Sequence, residues 1–359
     1  MNVNSPSLRR GWTTGACAAA AAKAAYAALR GGAFPDPVTI TLPGGQKPAF
    51  ALARTRRGAG YAMAGVIKDA GDDPDITHGA LIQATLRPGD PGGGIRFIAG
   101  EGVGTVTKPG LPLAVGEAAI NPMPRRMIAS AIADIAGDEA LPDLTVEIAI
   151  PGGEELAAHT WNPRLGIQGG LSILGTTGIV VPFSCAAWIA SIHRGVDVAR
   201  ATGCSRLIAC TGSTSEAAMR AIMADPPQAW IDMGDFVGGL LKYLRRHPVE
   251  KLILAGGFAK ICKLAAGHMD LHSARSQVDF AFLGEQARQA GLDESTATAI
   301  TRANTALQAL TIARDGESAL ARRIAALARQ RVKEFLQKAP TTCEVYIVSR
   351  DGRVIAHVS

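Results

Sequence analysis

The chain has 359 residues, of which 47% are hydrophobic and 19% charged, and its formal net charge is +6. That length fits two domains, and the apolar content excludes a disordered chain. The cations fall in short groups (Arg54-Thr55-Arg56-Arg57, Arg245-Arg246, Arg322-Arg323) without a recognition helix, zinc finger or stacking aromatics beside them, so nucleic acid is not the expected partner.

Met1 to Arg10 is polar and lacks the apolar core of a signal peptide. Gly11-Trp12-Thr13-Thr14-Gly15-Ala16-Cys17 then opens an alanine-rich stretch, residues 16–30, which predicts a helix on propensity alone, ended by Gly31-Gly32. Thr13 or Thr14 can cap that helix, and Gly15 lets a ligand approach the backbone. The segment fits both an ordinary cap and an anion-holding helix end. Strand patterns follow at 38–42, 61–67, 81–86, 95–98 and 144–150, with a helix at 124–136, so the first half reads as mixed α+β.

Between two of these strands lies KDAGDDPDITH (68–78), four carboxylates and a histidine in one loop. Carboxylates this close raise one another's pKa, which suits an acid or base; a solvated Asp-rich turn is the plain alternative, and the spacing is not that of a calcium loop. Gly100 to Gly110 lacks GxGxxG spacing, and its alternating Val and Thr predict a hairpin. Arg125 and Arg126 stand near a helix N-terminus, where cations do not help the helix but would meet an anion. Residues 165–192 carry no charge over a length that could span a bilayer. Their glycines, Pro182 and Gln168 instead predict a buried strand-loop-helix passage, in a cytoplasmic protein without a membrane partner.

The second half has another rhythm. Arg206 to Cys210 is an apolar strand followed by Thr211-Gly212-Ser213-Thr214 and a helix, and Lys251 to Ala255 repeats the pattern before Gly256-Gly257-Phe258. Strands separated by helices predict a parallel sheet, and the 211–213 turn is where an adenosyl or nucleotide group would bind. Helices at 294–313 and 318–336 and a hairpin, 344–349 with 353–358, complete the chain. The fold class is α/β and α+β in two domains, a mixed α+β domain over 1–163 and a Rossmann-like α/β domain over 164–359. Six scattered cysteines without a CxxC pair read as small buried hydrophobes, and His268 and His272 lack an HExxH context. No disulfide framework and no protein-bound metal are expected.

Six blocks run in series over most of the chain: GWTTGACAAAAAKAA (11–25), KDAGDDPDITHGA (68–80), GEGVGTVTKPGL (100–111), AINPMPRRMI (119–128), TWNPRLGIQGGLSILGTTGIVVPFS (160–184) and AGGFAKICKLAAGHMDLHS (255–273). Together they resemble the cobalt-precorrin-5B C-1-methyltransferase family, CbiD. The resemblance implies transfer of a methyl group from S-adenosylmethionine to C-1 of a corrinoid, giving cobalt-precorrin-6A in cobalamin biosynthesis, with cobalt carried by the substrate. A homo-oligomer is compatible with it. On this reading Asp72 or Asp73 handles a proton at the macrocycle, and Thr13, Thr14, Gly15, Arg125, Arg126 and Arg164 hold its carboxylate arms. Gly175, Thr176, Thr177 and Gly178, with Thr211, Gly212 and Ser213, border the methyl donor. The rival readings are a nucleotide-linked oxidoreductase, against which the missing GxGxxG counts, and a non-catalytic tetrapyrrole-binding protein.

Overall fold

In the computed structural model, which describes residues 8–359, a two-residue strand β1 (Gly11–Trp12) leads into helix α1 (Thr14–Leu29). Every residue of α1 from Thr14 to Ala22 is buried. A helix enclosed on all sides needs short side chains so that its neighbours can close around it, and alanine is also the best helix former. Arg30 caps the C-terminus, and Gly31 takes the left-handed φ of +93° that turns the chain away.

Strands β2 (Val38–Thr39) and β3 (Ala49–Phe50) pair with each other. Next come β4 (Arg54–Gly58), β5 (Tyr61–Ile67), β6 (Leu81–Pro88), β7 (Ile95–Ala99), β8 (Thr105–Val106), helix α2 (Pro122–Ala136) and β9 (Leu144–Ala149). A five-stranded sheet runs β4-β5-β6-β9-β7, antiparallel except between β7 and β9. Ala64, Ala84 and Ile148 lie in register across it. Helix α1 packs on β5 and β6, and α2 packs on α1. Along β6 the buried Ile82, Ala84 and Leu86 alternate with Gln83 and Thr85, so the sheet gives one face to the core and one to the outside.

Helices α3 (Gly153–Ala157) and α4 (Asn162–Leu165) precede two more short strands, β10 (Ile167–Gln168) and β11 (Ile179–Val180). The predicted hairpin at 100–110 does not form, because β8 pairs instead with β10, sixty residues on. β11 pairs with β1. These pairings tie residues 164–185 to the first of two compact units, which ends at Cys185; the second unit runs from Ala186 to Ser359.

Helix α5 (Cys185–Ala201) leads to β12 (Arg206–Cys210), α6 (Ser213–Arg220), β13 (Trp230–Asp232), α7 (Val237–Leu244), β14 (Lys251–Gly257) and α8 (Phe258–Ala265). Then come α9 (Phe280–Gln289), α10 (Glu294–Thr301), α11 (Ala306–Ala313), α12 (Glu317–Leu336), β15 (Thr342–Val348) and β16 (Val354–Val358). The sheet order is β13-β12-β14-β15-β16; the first four strands are parallel and β16 is antiparallel. The interior of β14 is buried without alternation, as expected of a parallel strand covered on both faces. The single helix read over 294–313 is two, because Thr305 accepts the Gln308 N–H and starts a new helix. Of the six free cysteines four are buried, while Cys185 and Cys204 are half-buried. Among the described residues no helix is long and apolar enough to cross a membrane.

The enclosure of α1 sets a test. Ala21→Leu, at a fully buried position, should destabilise the protein by about 1–3 kcal/mol through overpacking. Ala27→Leu, at a half-buried position of the same helix, should stay within about 0.5 kcal/mol of the parent. Urea denaturation of both variants measures the difference.

Candidate active site

Three segments remote in sequence meet at the start of α1. Thr13 caps the helix, its Oγ1 accepting the Ala16 N–H at 3.2 Å. Thr14 Oγ1 donates to Leu174 O at 3.2 Å and accepts the Leu174 N–H at 3.1 Å. The Gly15 N–H goes to Leu174 O, and the Thr13 N–H to Gly178 O. Thr13 and Thr14 are 6% and 3% exposed. The first-turn donors that could have held an anion are therefore largely used inside the protein, on the 174–178 segment. Gly15 admits no ligand either: a Cβ there would lie 2.9 Å from Met127 and Pro124 side-chain atoms. Gly175, at φ +124°, lies against Thr13, where a Cβ would come within 2.3 Å of its Oγ1. Thr176 and Thr177 are exposed, and Thr177 Oγ1 closes its own turn onto the Ile179 N–H.

On its other side the same segment is stitched to the Asp-rich loop. Arg10 bridges Gly71, and the Trp12 N–H donates to Asp69 O at 2.7 Å. Asp72 Oδ2 accepts the Arg9 N–H at 2.6 Å. The loop is braced from within by Lys68, which is 2% exposed and bonds both Asp75 and the buried Thr77 hydroxyl. Burial opposes ionisation of Asp75, but Lys68 and the Thr77 donors outweigh it and hold its carboxyl below the ordinary range. The Arg9 guanidinium, aided by the Gly71 N–H, brings Asp69 down to about 2. The mutual raising expected of crowded carboxylates is thus absent at both Asp69 and Asp75, because each has its own cation. His78 Nδ1 accepts the Ala70 N–H at 3.1 Å.

The third segment ends at Phe183, whose N–H donates to Asp73 Oδ1 at 2.8 Å. Phe183 has φ +54° and is 66% exposed. A left-handed non-glycine residue costs on the order of 1–3 kcal/mol and concentrates at functional sites. Val181 and Ile76 are exposed here too. Beside Asp69 opens a groove of about 270 Å³ walled by Trp12, Phe50, Leu52 and Val66, with the Trp12 and Phe50 rings edge to face at 5.5 Å. Apolar walls next to a few fixed polar groups are the usual make-up of a small-molecule site.

The three arginines differ. Arg125 is an internal clamp: its Nε donates to Ile120 O at 2.7 Å, it pairs with Glu117 at 3.1 Å, and it lies over the Phe97 ring. Arg126 is exposed and has no ion pair among the described residues. Arg164 sits in the short α4, beside the buried Asn162, which donates to Gly170 O.

The Thr211–Ser213 turn belongs to the second unit, apart from the residues above. It follows β12, and Lys260, at the start of α8, donates to Thr211 O at 2.7 Å. Lys260 Nζ also lies 3.1 Å from Asp235 Oδ1, a buried oxygen at ion-pair distance but without a hydrogen bond. No atom lies within 4 Å of where a Cβ would stand on Gly212 or Gly257. The turn is open in front. Phe183, Arg9, Lys68 and Asp235 were not singled out by sequence, since pairing and backbone conformation leave no local pattern.

Taken by itself, the first unit presents an enzyme-like site, with oriented carboxylates beside an apolar groove. Comparison with known proteins narrows it. The CbiD family matches residues 1–182, and the CbiD C-terminal domain matches residues 270–359. A cobalt-precorrin-5B C(1)-methyltransferase of Paramagnetospirillum magneticum is 59% identical over 97% of both chains. One of Brucella anthropi is 57% identical over 98% of this chain and 96% of its own. A crystal structure of the cobalamin biosynthesis protein CbiD from Archaeoglobus fulgidus, 29% identical, matches 75% of this chain and 83% of its own with a TM-score of 0.41. The chain belongs to the CbiD family.

Two outcomes follow from the loop's ion pairs. Lys68→Met should cost about 3–5 kcal/mol in a denaturation series, since it strands a largely buried carboxylate. Arg9→Ala should move the Asp69 titration, followed by carboxyl NMR shifts, up from about 2 towards the ordinary value of about 3.9. Because the folded value is the lower one, what the Asp69 charge contributes is complete above about pH 4 and is lost as pH falls towards about 2.

Proposed function

We propose that the chain transfers a methyl group from S-adenosylmethionine to C-1 of cobalt-precorrin-5B, giving cobalt-precorrin-6A in cobalamin biosynthesis. The observation that carries this reading is 55–59% identity along nearly the whole chain to proteins bearing that enzyme name. The first unit, which includes the α+β domain read over 1–163, is the corrinoid side. The second is a Rossmann-like unit that takes the donor. Its chain leaves β12 to one side for β13 and returns on the other for β14, and ligands of such sheets bind outside the strand ends where the order reverses. Thr211, Gly212 and Ser213 stand at that point. The open space before Gly212 and the buried Asp235 oxygen near Lys260 fit a ligand with hydroxyl and amino donors.

The donor, when bound, supplies a methyl group on a sulfonium sulfur. The protein's task is to align an electron-rich ring carbon with it and to manage charge and protons. Asp72 and Asp73 are each anchored through one oxygen by a backbone N–H, which leaves the other oxygen without a hydrogen bond among the described residues. That arrangement supports accepting a proton from the macrocycle. Thr13, Thr14 and Gly15 act by fixing the 174–178 segment, through which Gly175, Thr176, Thr177 and Gly178 border the site. Arg126 holds a carboxylate arm; Arg125 shapes the neighbouring 117–120 turn, and Arg164 the start of the 164–174 passage.

Incubation with labelled S-adenosylmethionine and the corrinoid should place the label in the product, read by mass analysis. Corrinoid binding without labelled product would leave only a tetrapyrrole carrier. Asp72→Asn and Asp73→Asn should lower the single-turnover rate, at least one of them by about 10²–10⁴-fold, with an altered pH profile. Full rates in both would remove these residues from the mechanism.

A further inference from the structure

The outer face of the first unit's sheet has a composition that the site above does not use. Register places Arg54, Gly65 and Gln83 in one row across β4, β5 and β6, and Arg56, Met63 and Thr85 in the next. Ala62, Ala64 and Val66 of β5, like Ile82, Ala84 and Leu86 of β6, turn to the core, so these two rows turn away from α1. Here lies a groove of about 280 Å³, rimmed by Arg54, Arg56 and Arg87 and floored by Met63, Gln83 and Thr85. Among the described residues the side chains of Arg54, Arg56, Gln83 and Thr85 have no hydrogen bond or ion pair. Arg87 pairs with Glu147 at 3.0 Å and lies 5.9 Å over the Tyr61 ring. Arg96 on β7, in register with Thr145, adds a further cation to this face.

Arginines on an edge strand can serve simply to keep other strands away. That need would be met by charge alone; it does not require a concave floor with an unused amide and hydroxyl beneath the arginines. The same side of β5 continues through Gly65 to Ile67, 48% exposed, and so to the loop bearing Asp72 and Asp73. Met63 to Ile67 spans about 13 Å at roughly 3.3 Å per residue. An apolar strip with arginines at one end suits a flat ligand that turns its carboxylate-bearing edge to them.

We propose that this sheet face docks a carboxylate-rich tetrapyrrole, with Arg54, Arg56 and Arg87 holding its carboxylate arms. The inference rests on the corrinoid reading above and assigns residues to it that neither sequence blocks nor family membership single out. Arginine is suited to the task because its planar fork binds a carboxylate through two parallel hydrogen bonds.

The test titrates the full chain with cobyrinic acid, whose carboxylates are free, and with its methyl ester, followed by absorbance at low and high salt. The free acid should bind, more weakly as salt rises, and the ester should not compete. Arg54→Ser/Arg56→Ser should weaken free-acid binding by at least about tenfold, with the thermal midpoint unchanged. Arg322→Ser/Arg323→Ser, which removes as much charge elsewhere, should leave binding as it was. Equal affinity for acid and ester, or unchanged affinity in the Arg54/Arg56 variant, overturns the proposal. So does a short single-stranded oligonucleotide that displaces the acid and binds tighter. If the unaltered chain fails to methylate a corrinoid, the functional reading fails, and the titration still decides the docking face. If it methylates normally with an unchanged KM in the Arg54/Arg56 variant, only the docking face is lost.

Discussion

Thr14 and Leu174 exchange two hydrogen bonds, and the candidate site of the first unit depends on that exchange. Leaving such a buried group unsatisfied costs about 1–3 kcal/mol. The contact sits where helix α1 enters the core, so the 174–183 segment takes its position from the most enclosed element of the unit. From there it runs through the β11 pairing with β1 to Phe183, whose backbone fixes Asp73. An alanine helix thus does more than fill space. Its buried start is the reference point from which the 174–183 segment and, through Phe183, the Asp73 carboxylate are placed.

Charge in this unit is arranged in two ways. In the 68–80 loop each acid has its own partner: Arg9 pairs with Asp69 and Lys68 with Asp75, while a backbone N–H holds one oxygen each of Asp72 and Asp73. The acids are thus held apart on separate partners rather than gathered in one cluster. On the outer sheet face the arginines stand nearly unneutralised, with Glu147 as the acid paired there. One region leaves only single carboxylate oxygens of Asp72 and Asp73 unused, and the other still has guanidinium donors to offer.

How far the sequence could be read follows from the kind of interaction involved. Local propensity and alternation were enough for α1, for β5 and β12 to the residue, and for β14, but the short parallel strand β13 went unread. Medium-range capping was not: Thr305 divides what periodicity joined into one helix. Long-range pairing was harder still. The Val-Thr alternation after Gly100 is a strand in search of a partner, and the partner, β10, lies beyond α2 and β9. At the site, the blocks around Thr13, Asp72 and Gly175 were visible as blocks, but not that Thr13 and Gly175 touch, nor that Gly15 faces Met127 and Pro124. Residue type allowed both a cap and a ligand-facing glycine, and only packing separates the two.

The Thr14–Leu174 contact joins residues 160 positions apart. Closing so long a loop is entropically costly until the intervening chain is compact, and contacts of high sequence separation slow folding. The candidate site, resting on such a contact, is complete only once the intervening chain is compact. A ligand that needs Asp73, Phe183 and the start of α1 together will find them only in a completed first unit, so its binding favours the finished fold over every partly folded form.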